Sequence, residues 1–374
     1  MYMTRKKVVT VVGTRPNFMK MGPILGALAD RPEEFDSTLV HTGQHYDAAM
    51  SDVFFEELGI GAPDYSLDVG SGSHAQQTAC VMQRLEPVLE QEQPDYVLIP
   101  GDVNSTLAAA LVASKMGIPV AHVEAGLRSF DRSMPEEINR LLTDRIADLL
   151  FTHSPEAEEY LVSEGCDPAA IHYVGNTMID TLVALRSRID AEGGISRRGL
   201  KPGGYMLVTL HRPALVDTPL LAAVMEELYE LAGDMRVLFP AHPRTRAAIQ
   251  DLGLPLDMPG LDVTDPMGYL EFLHLLSGAT AVLTDSGGIQ EEATYLGVPC
   301  LTLRDNTERP VTVSMGTNML LGLRPDRVTE VPTLIDAIQA RPAKLPPLWD
   351  GHAANRIVEV LAGAKDLAPA APAA

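Results

Sequence analysis

The stretch LTDSGGIQEEATYLGVP, residues 283–299, holds an unusual mixture of groups. Ser286, Gly287 and Gly288 follow a short apolar run and open a helical pattern. Backbone N–H groups at such a helix start face outward and hold an anion. Glu291 and Glu292 come one turn later. A phosphate has no use for a carboxylate, but the hydroxyls of a ribose do. Glu292 reads as that acceptor, Glu291 as a solvated helix face, and Asp285 either as a site residue or as a cap for the helix. Arg15, Lys20, His211, Arg212, His242, Arg244 and Arg309 can supply positive charge and N–H donors for a phosphate or pyrophosphate. Together these groups describe a nucleoside diphosphate with its sugar.

A second cluster is acidic: Asp102, Glu124, Asp131, Glu136 and Glu137, with Arg128 and Arg140 interleaved. In PEEINR, Pro135 opens a helix whose first turn favours acids, which accounts for one of Glu136 and Glu137. Asp102 and Glu124 end successive strand patterns and are candidates for proton transfer or for holding sugar hydroxyls.

These residues need a scaffold that gathers strand ends. Short β-branched runs alternate with helical patterns: KKVVTVVG, STLVHTG, DYVLIPG, IPVAHVE, DLLFTHS and IHYVG, then YMLVTLH, RVLFPAH, LDVTDP, TAVLTDS and VPCLTL. Alternating βα units build parallel sheets with helices on both faces, and ligands bind beyond the carboxyl ends of the strands. The candidates fall at those ends. Between the two series lies RSRIDAEGGISRRGLKPGG, residues 186–204, which reads as a linker or mobile loop. The expected architecture is α/β: two Rossmann-like domains whose parallel sheets face across a cleft, with one site between them.

A chain of 374 residues suits two domains. Its net charge of −21 argues against nucleic acid and anionic membranes as partners. Three dispersed cysteines, Cys80, Cys166 and Cys300, suggest neither a zinc site nor a disulfide framework and fit a cytoplasmic location. The first apolar run is too short for a signal peptide, and no run reaches the roughly 18 apolar residues of a membrane span. There is no GxxxxGK[ST], and no GxGxxG follows the first strand, so neither a Walker-type nor a nicotinamide site is expected.

The ordered motifs GTRPNFMKMGPI, GDVNSTLAAALVA, VAHVEAGLRS, PEEINR, VTLHRP, AHP and TDSGGIQEEA…LGVP…LRDNTERP resemble those of the non-hydrolysing UDP-N-acetylglucosamine 2-epimerases, from about residue 7 to about residue 362. The resemblance implies the GT-B arrangement, a homodimer, and interconversion of UDP-GlcNAc and UDP-ManNAc with no metal and no cofactor. It implies residues 1–180 as the acid/base domain and 181–362 as the UDP-binding domain, the last helix able to pack back on the first. Residues 363–374 read as a disordered tail. Arg15, Lys20, Asp102, Glu124, Glu136 and His211 match the family's catalytic and phosphate-side residues. Ser286, Gly287, Gly288, Glu292 and Arg309 match its UDP contacts, and Phe272 its uracil-side aromatic. The chain departs from many members at Pro213-Ala214 of the HRRE motif. It has Asp47 where members activated by a second substrate molecule carry Gln.

The chemistry fits the residues. The sugar C2–H is only weakly acidic until the C1–O bond to UDP breaks. The enzyme must then stabilise departing UDP, a task suited to Arg15, His211 and the helix N-terminus. It must also place Asp102, Glu124 and Glu136 near C2 as acid and base. The expected intermediate is 2-acetamidoglucal. The alternatives are a 2-epimerase of a related UDP-sugar of the diacetamido-glucuronic acid type, a hydrolysing epimerase, a GT-B glycosyltransferase, and a non-catalytic UDP-sugar sensor.

Overall fold

The computed structural model describes residues 5–43, 60–341 and 344–363. Asp47 and the tail beyond Gly363 lie outside the described residues. The chain forms two compact units: one takes the described residues up to Val183 and from Pro347 onward, the other Ala184–Pro346.

In the first unit, β1 (Lys6–Val12), β2 (Phe35–His41), β4 (Tyr96–Pro100), β5 (Val120–Val123), β6 (Leu149–Thr152) and β7 (Ile171–Tyr173) are joined by a short β3 (Tyr65–Ser66). All pair in parallel, in the order β3-β2-β1-β4-β5-β6-β7. The continuous apolar runs follow from this topology, since both faces of such a sheet are covered; Val8, Val9, Val97 and Ile99 are fully buried. Helices α1 (Arg15–Ala29), α2 (His74–Glu92), α3 (Asn104–Lys115), α4 (Pro135–Ile146), α5 (Pro155–Ser163) and α6 (Thr177–Ala191) follow successive strands. Strand order reverses between β1 and β4, which places the crevice of a doubly wound sheet at their carboxyl ends.

The second unit repeats the plan. Strands β8 (Tyr205–Thr209), β9 (Arg236–Pro240), β10 (Asp257–Met258), β11 (Leu261–Thr264), β12 (Ala281–Thr284), β13 (Cys300–Thr302) and β14 (Asn318–Leu320) run in the order β10-β11-β9-β8-β12-β13-β14. Among the described residues of this unit, only the β10–β11 pair is antiparallel. Its switch point lies between β8 and β12.

Residues 186–204, expected as a linker, are largely ordered structure. Leu182, Leu185 and Ile189 stand at helical spacing among the arginines and are buried, so α6 runs on to Ala191. A short helix, α7 (Gly194–Arg197), follows, and Arg198 pairs with Glu271 at 3.1 Å.

At Pro347 the chain returns to the first unit. Trp349 Nε1 donates to the His153 carbonyl at 2.9 Å. The Asp180 carboxylate accepts from the backbone N–H groups of Ala353 (3.1 Å) and Ala354 (2.7 Å), satisfying orphan donors at the start of the last helix, Ala353–Gly363. Lys6 Nζ donates to the carbonyl of Leu361, near that helix's end, at 2.9 Å.

Candidate functional site

The carboxyl edge of the first sheet gathers the acidic candidates. Arg15 opens α1 directly after β1. Lys20, farther along α1, is buried and pairs with Glu124, buried just beyond β5. Its charge is therefore engaged by a carboxylate of its own unit. Glu124 has a φ of 66°, a left-handed conformation that costs a non-glycine residue energy and is concentrated at functional sites. Its Oε1 is buried without a hydrogen-bond partner among the described residues. That oxygen is an available proton acceptor.

Asp102, just beyond β4, is half-buried and pairs with Arg140 Nη2 at 2.5 Å. Arg140 Nη1 also lies 2.7 Å from Glu137. Glu137 accepts from Ser129 N, Ser129 Oγ and Phe130 N, each at 2.9 Å. It is therefore the glutamate that holds the loop before α4. Its neighbour Glu136 is the half-buried one and remains the candidate for chemistry.

In the second unit, β8 delivers His211 and Arg212, β9 leads to His242, and β12 leads into Asp285 and Ser286. Asp285 does not cap the helix Gly287–Leu296. Its Oδ2 accepts from the backbone N–H groups of His211 (2.8 Å) and Arg212 (2.7 Å), and Oδ1 lies 2.9 Å from His211 Nδ1. Burial alone would raise the Asp285 carboxyl, but His211 and the two backbone donors outweigh it and hold it below the usual range. The contact anchors His211 through Nδ1 and leaves Nε2 for a ligand; the side chain is 46% exposed. His242 stands at the N-terminus of the helix Pro243–Asp251, where its Nδ1 accepts from Arg244 N at 3.3 Å. Burial, with His211 and Arg244 nearby, lowers its pKa. Arg244 itself is exposed and turned to Asp217.

Ser286 makes no side-chain cap, leaving its hydroxyl available beside the N–H groups of Gly287 and Gly288. A Cβ at Gly287 would run into the Arg309 guanidinium, so glycine is what lets Arg309 lie against this helix start. Glu291, expected on a solvated face, is fully buried and pairs with Arg309 Nε at 2.8 Å. Arg212 makes no hydrogen bond through its guanidinium among the described residues; Glu308 Oε1 is 4.0 Å away and is itself held by Arg304 at 2.7 Å. Burial and the charge of Arg304 lower the Arg212 pKa, with Glu308 opposing. An anionic ligand would satisfy that group.

Glu292 is 2% exposed and accepts from Tyr269 Oη at 2.7 Å. Phe272 is half-buried, one turn beyond Tyr269 on the helix Tyr269–Gly278. Burial pushes the Glu292 carboxyl up to about 8, against the Tyr269 hydrogen bond and with help from Glu291. An unfolded glutamate titrates near about 4.3. Between these values the folded state keeps a proton that the unfolded state has lost, so this group's contribution falls as pH rises and levels off above about 8. Glu292→Gln should therefore gain stability over wild type by a few kcal/mol between about pH 5 and pH 8.5. Thermal unfolding at both pH values measures it, and a difference independent of pH would contradict it.

Tyr269 was not singled out in the sequence, and Asp285 stood there between a site residue and a helix cap. Asp285 acts on a residue 74 positions away, a separation that no local spacing signals.

Known proteins carry the same pattern. The family model described as UDP-N-acetylglucosamine 2-epimerase matches residues 27–362. The chain is 42% identical over 367 residues to a UDP-2,3-diacetamido-2,3-dideoxy-D-glucuronate 2-epimerase of Pseudomonas aeruginosa, covering 95% of this chain and 99% of that protein. It is 42% identical over 366 residues to the UDP-N-acetylglucosamine 2-epimerase of Methanocaldococcus jannaschii, covering 95% of this chain and 98% of that protein. A crystal structure of the M. jannaschii enzyme in complex with UDP-GlcNAc and UDP superposes with a TM-score of 0.86 at 40% identity, covering 95% of this chain and 99% of that one.

Proposed function

The chain belongs to the UDP-N-acetylglucosamine 2-epimerase family, and on that premise we propose that it interconverts UDP-GlcNAc and UDP-ManNAc by eliminating UDP to 2-acetamidoglucal and adding it back. The observation that carries the reading is the division of groups between the two sheets. The carboxyl edge of one holds carboxylates fit for proton transfer, and that of the other holds anion-binding groups around a helix N-terminus. Arg212, Arg309, Ser286 and the N–H groups of Gly287 and Gly288 stabilise the pyrophosphate as negative charge grows on it. His211, oriented by Asp285, and Arg15 serve the departing phosphate, with His242 beside them. Glu292 accepts from the ribose and Phe272 lies at the base. Glu124, kept in place by Lys20, is set to act with Asp102 and Glu136 in removing the C2 proton and returning one to the opposite face.

The test is incubation with UDP-GlcNAc alone and NMR of the products. UDP-ManNAc with little free UDP is expected; stoichiometric UDP with free ManNAc would indicate hydrolysis. The 42% identity to the P. aeruginosa enzyme makes the UDP-diacetamido-glucuronate the second substrate to compare. Turnover of that sugar alone would replace the first. We take the enzyme to work as a cytoplasmic homodimer, the dimer being measurable by light scattering.

A further inference from the structure

His122 lies on β5, two residues before Glu124, and the scheme above gives it no part. It is 0% exposed. Its Nε2 is 2.7 Å from the Gly101 carbonyl oxygen, and its Nδ1 is 2.7 Å from Asp144 Oδ1. A carbonyl and a carboxylate only accept, so the ring makes both contacts only as the doubly protonated imidazolium. The acceptor role of Asp144 is fixed by its other partners. Its Oδ2 lies 2.7 Å from Arg128 Nη1 and accepts from Gly126 N at 3.1 Å. Burial would raise this carboxyl, but His122 and Arg128 outweigh it and hold it below the usual range.

Gly101 is the residue before Asp102. Its φ of 67° suits glycine and turns the chain sharply out of β4. Its N–H donates to the Val123 carbonyl, the residue before Glu124, at 2.9 Å. Both polar groups of Gly101 are thus tied to β5: the N–H through the Val123 backbone and the carbonyl through the His122 ring. The carbonyl belongs to the peptide plane from which Asp102 hangs. Without the ring, that plane has one fewer restraint.

We propose that His122 is a positioning residue of the epimerisation, an imidazolium clamp on the Gly101–Asp102 peptide that fixes the two acid/base carboxylates relative to each other. The proposal rests on the assignment of Asp102 and Glu124 to the proton transfers. Positioning errors of about 1 Å cost roughly 100-fold in rate.

Two conservative variants separate this role from that of a buried structural ion pair. A Gln amide nitrogen reaches where Nε2 stands and can still donate to Gly101. An Asn amide nitrogen reaches where Nδ1 stands and serves only Asp144. His122→Asn should lose roughly 100-fold in kcat while His122→Gln stays within roughly 10-fold, both with wild-type UDP affinity as evidence of folding. Equal impairment of the two, or greater loss in His122→Gln, would overturn the clamp. In 15N-histidine-labelled wild-type enzyme, the resonance lost in His122→Gln should carry a proton on both ring nitrogens at the assay pH; a bare ring nitrogen would overturn it as well. Absence of UDP-GlcNAc epimerisation by the wild type would instead refute the functional reading, and the NMR result would still decide the clamp.

Discussion

Asp102→Asn enzyme should bind UDP with nearly wild-type affinity and turn over roughly 100- to 10,000-fold more slowly, the usual contribution of a positioned acid or base. Asn has the shape of Asp and retains an acceptor for Arg140, which lies 2.5 Å from the carboxylate. It cannot carry a proton between C2 and solvent. Apart from Arg15, the groups assigned to UDP belong to the other unit and are untouched. Arg212→Ala should show the converse. Its guanidinium has no hydrogen bond among the described residues, so an anionic ligand is its natural partner. Losing a charge-assisted hydrogen bond of about 1.5–3 kcal/mol corresponds to roughly 10- to 150-fold weaker UDP binding. Calorimetric titration of both variants with UDP, alongside turnover, measures the contrast. Equal loss of UDP affinity in the two would overturn the division of labour.

The sequence exposed some of this arrangement and hid the rest for identifiable reasons. Buried parallel strands read as unbroken β-branched runs, so β1, β4, β8 and β12 and the polar residues at their ends were plain. Short strands such as Tyr65–Ser66 and Asp257–Met258 have too few residues for a periodic signal. Residues 186–191 looked like a linker because arginines dilute an apolar stripe that the helix reassembles from Leu182, Leu185 and Ile189. Glu291 looked solvated because its charge partner, Arg309, arrives only after the next strand. The choice between Glu136 and Glu137 depended on which one the loop at Ser129 and Phe130 would capture, and it captures Glu137. For Glu291 and for the pair Glu136 and Glu137, the position on a helix was local information, whereas the partner that assigns a role was not.

Run in D2O, the reaction should place deuterium at C2 of every UDP-ManNAc formed, and at C2 of recovered UDP-GlcNAc as equilibrium is approached. In the proposed mechanism the proton leaves and returns through carboxylates, and carboxyl protons exchange with water far faster than an enzyme turns over. Asp102 is 26% exposed at its side chain, which gives it contact with solvent, whereas Glu124 is 3% exposed at its own and pairs with Lys20. The carboxylate that delivers the proton in the forward direction is the one whose removal stops label entering UDP-ManNAc from a pool of the intermediate. Supplying 2-acetamidoglucal and UDP to Asp102→Asn and Glu124→Gln separately should thus bias which UDP-sugar is formed and labelled, assigning one carboxylate to each face. A redox route would carry a hydride off the sugar and return it without mixing with solvent, leaving protium at C2. A glycosyltransferase or a sensor would leave C2 untouched. Product with only protium at C2 would defeat the elimination mechanism even if epimerisation were complete.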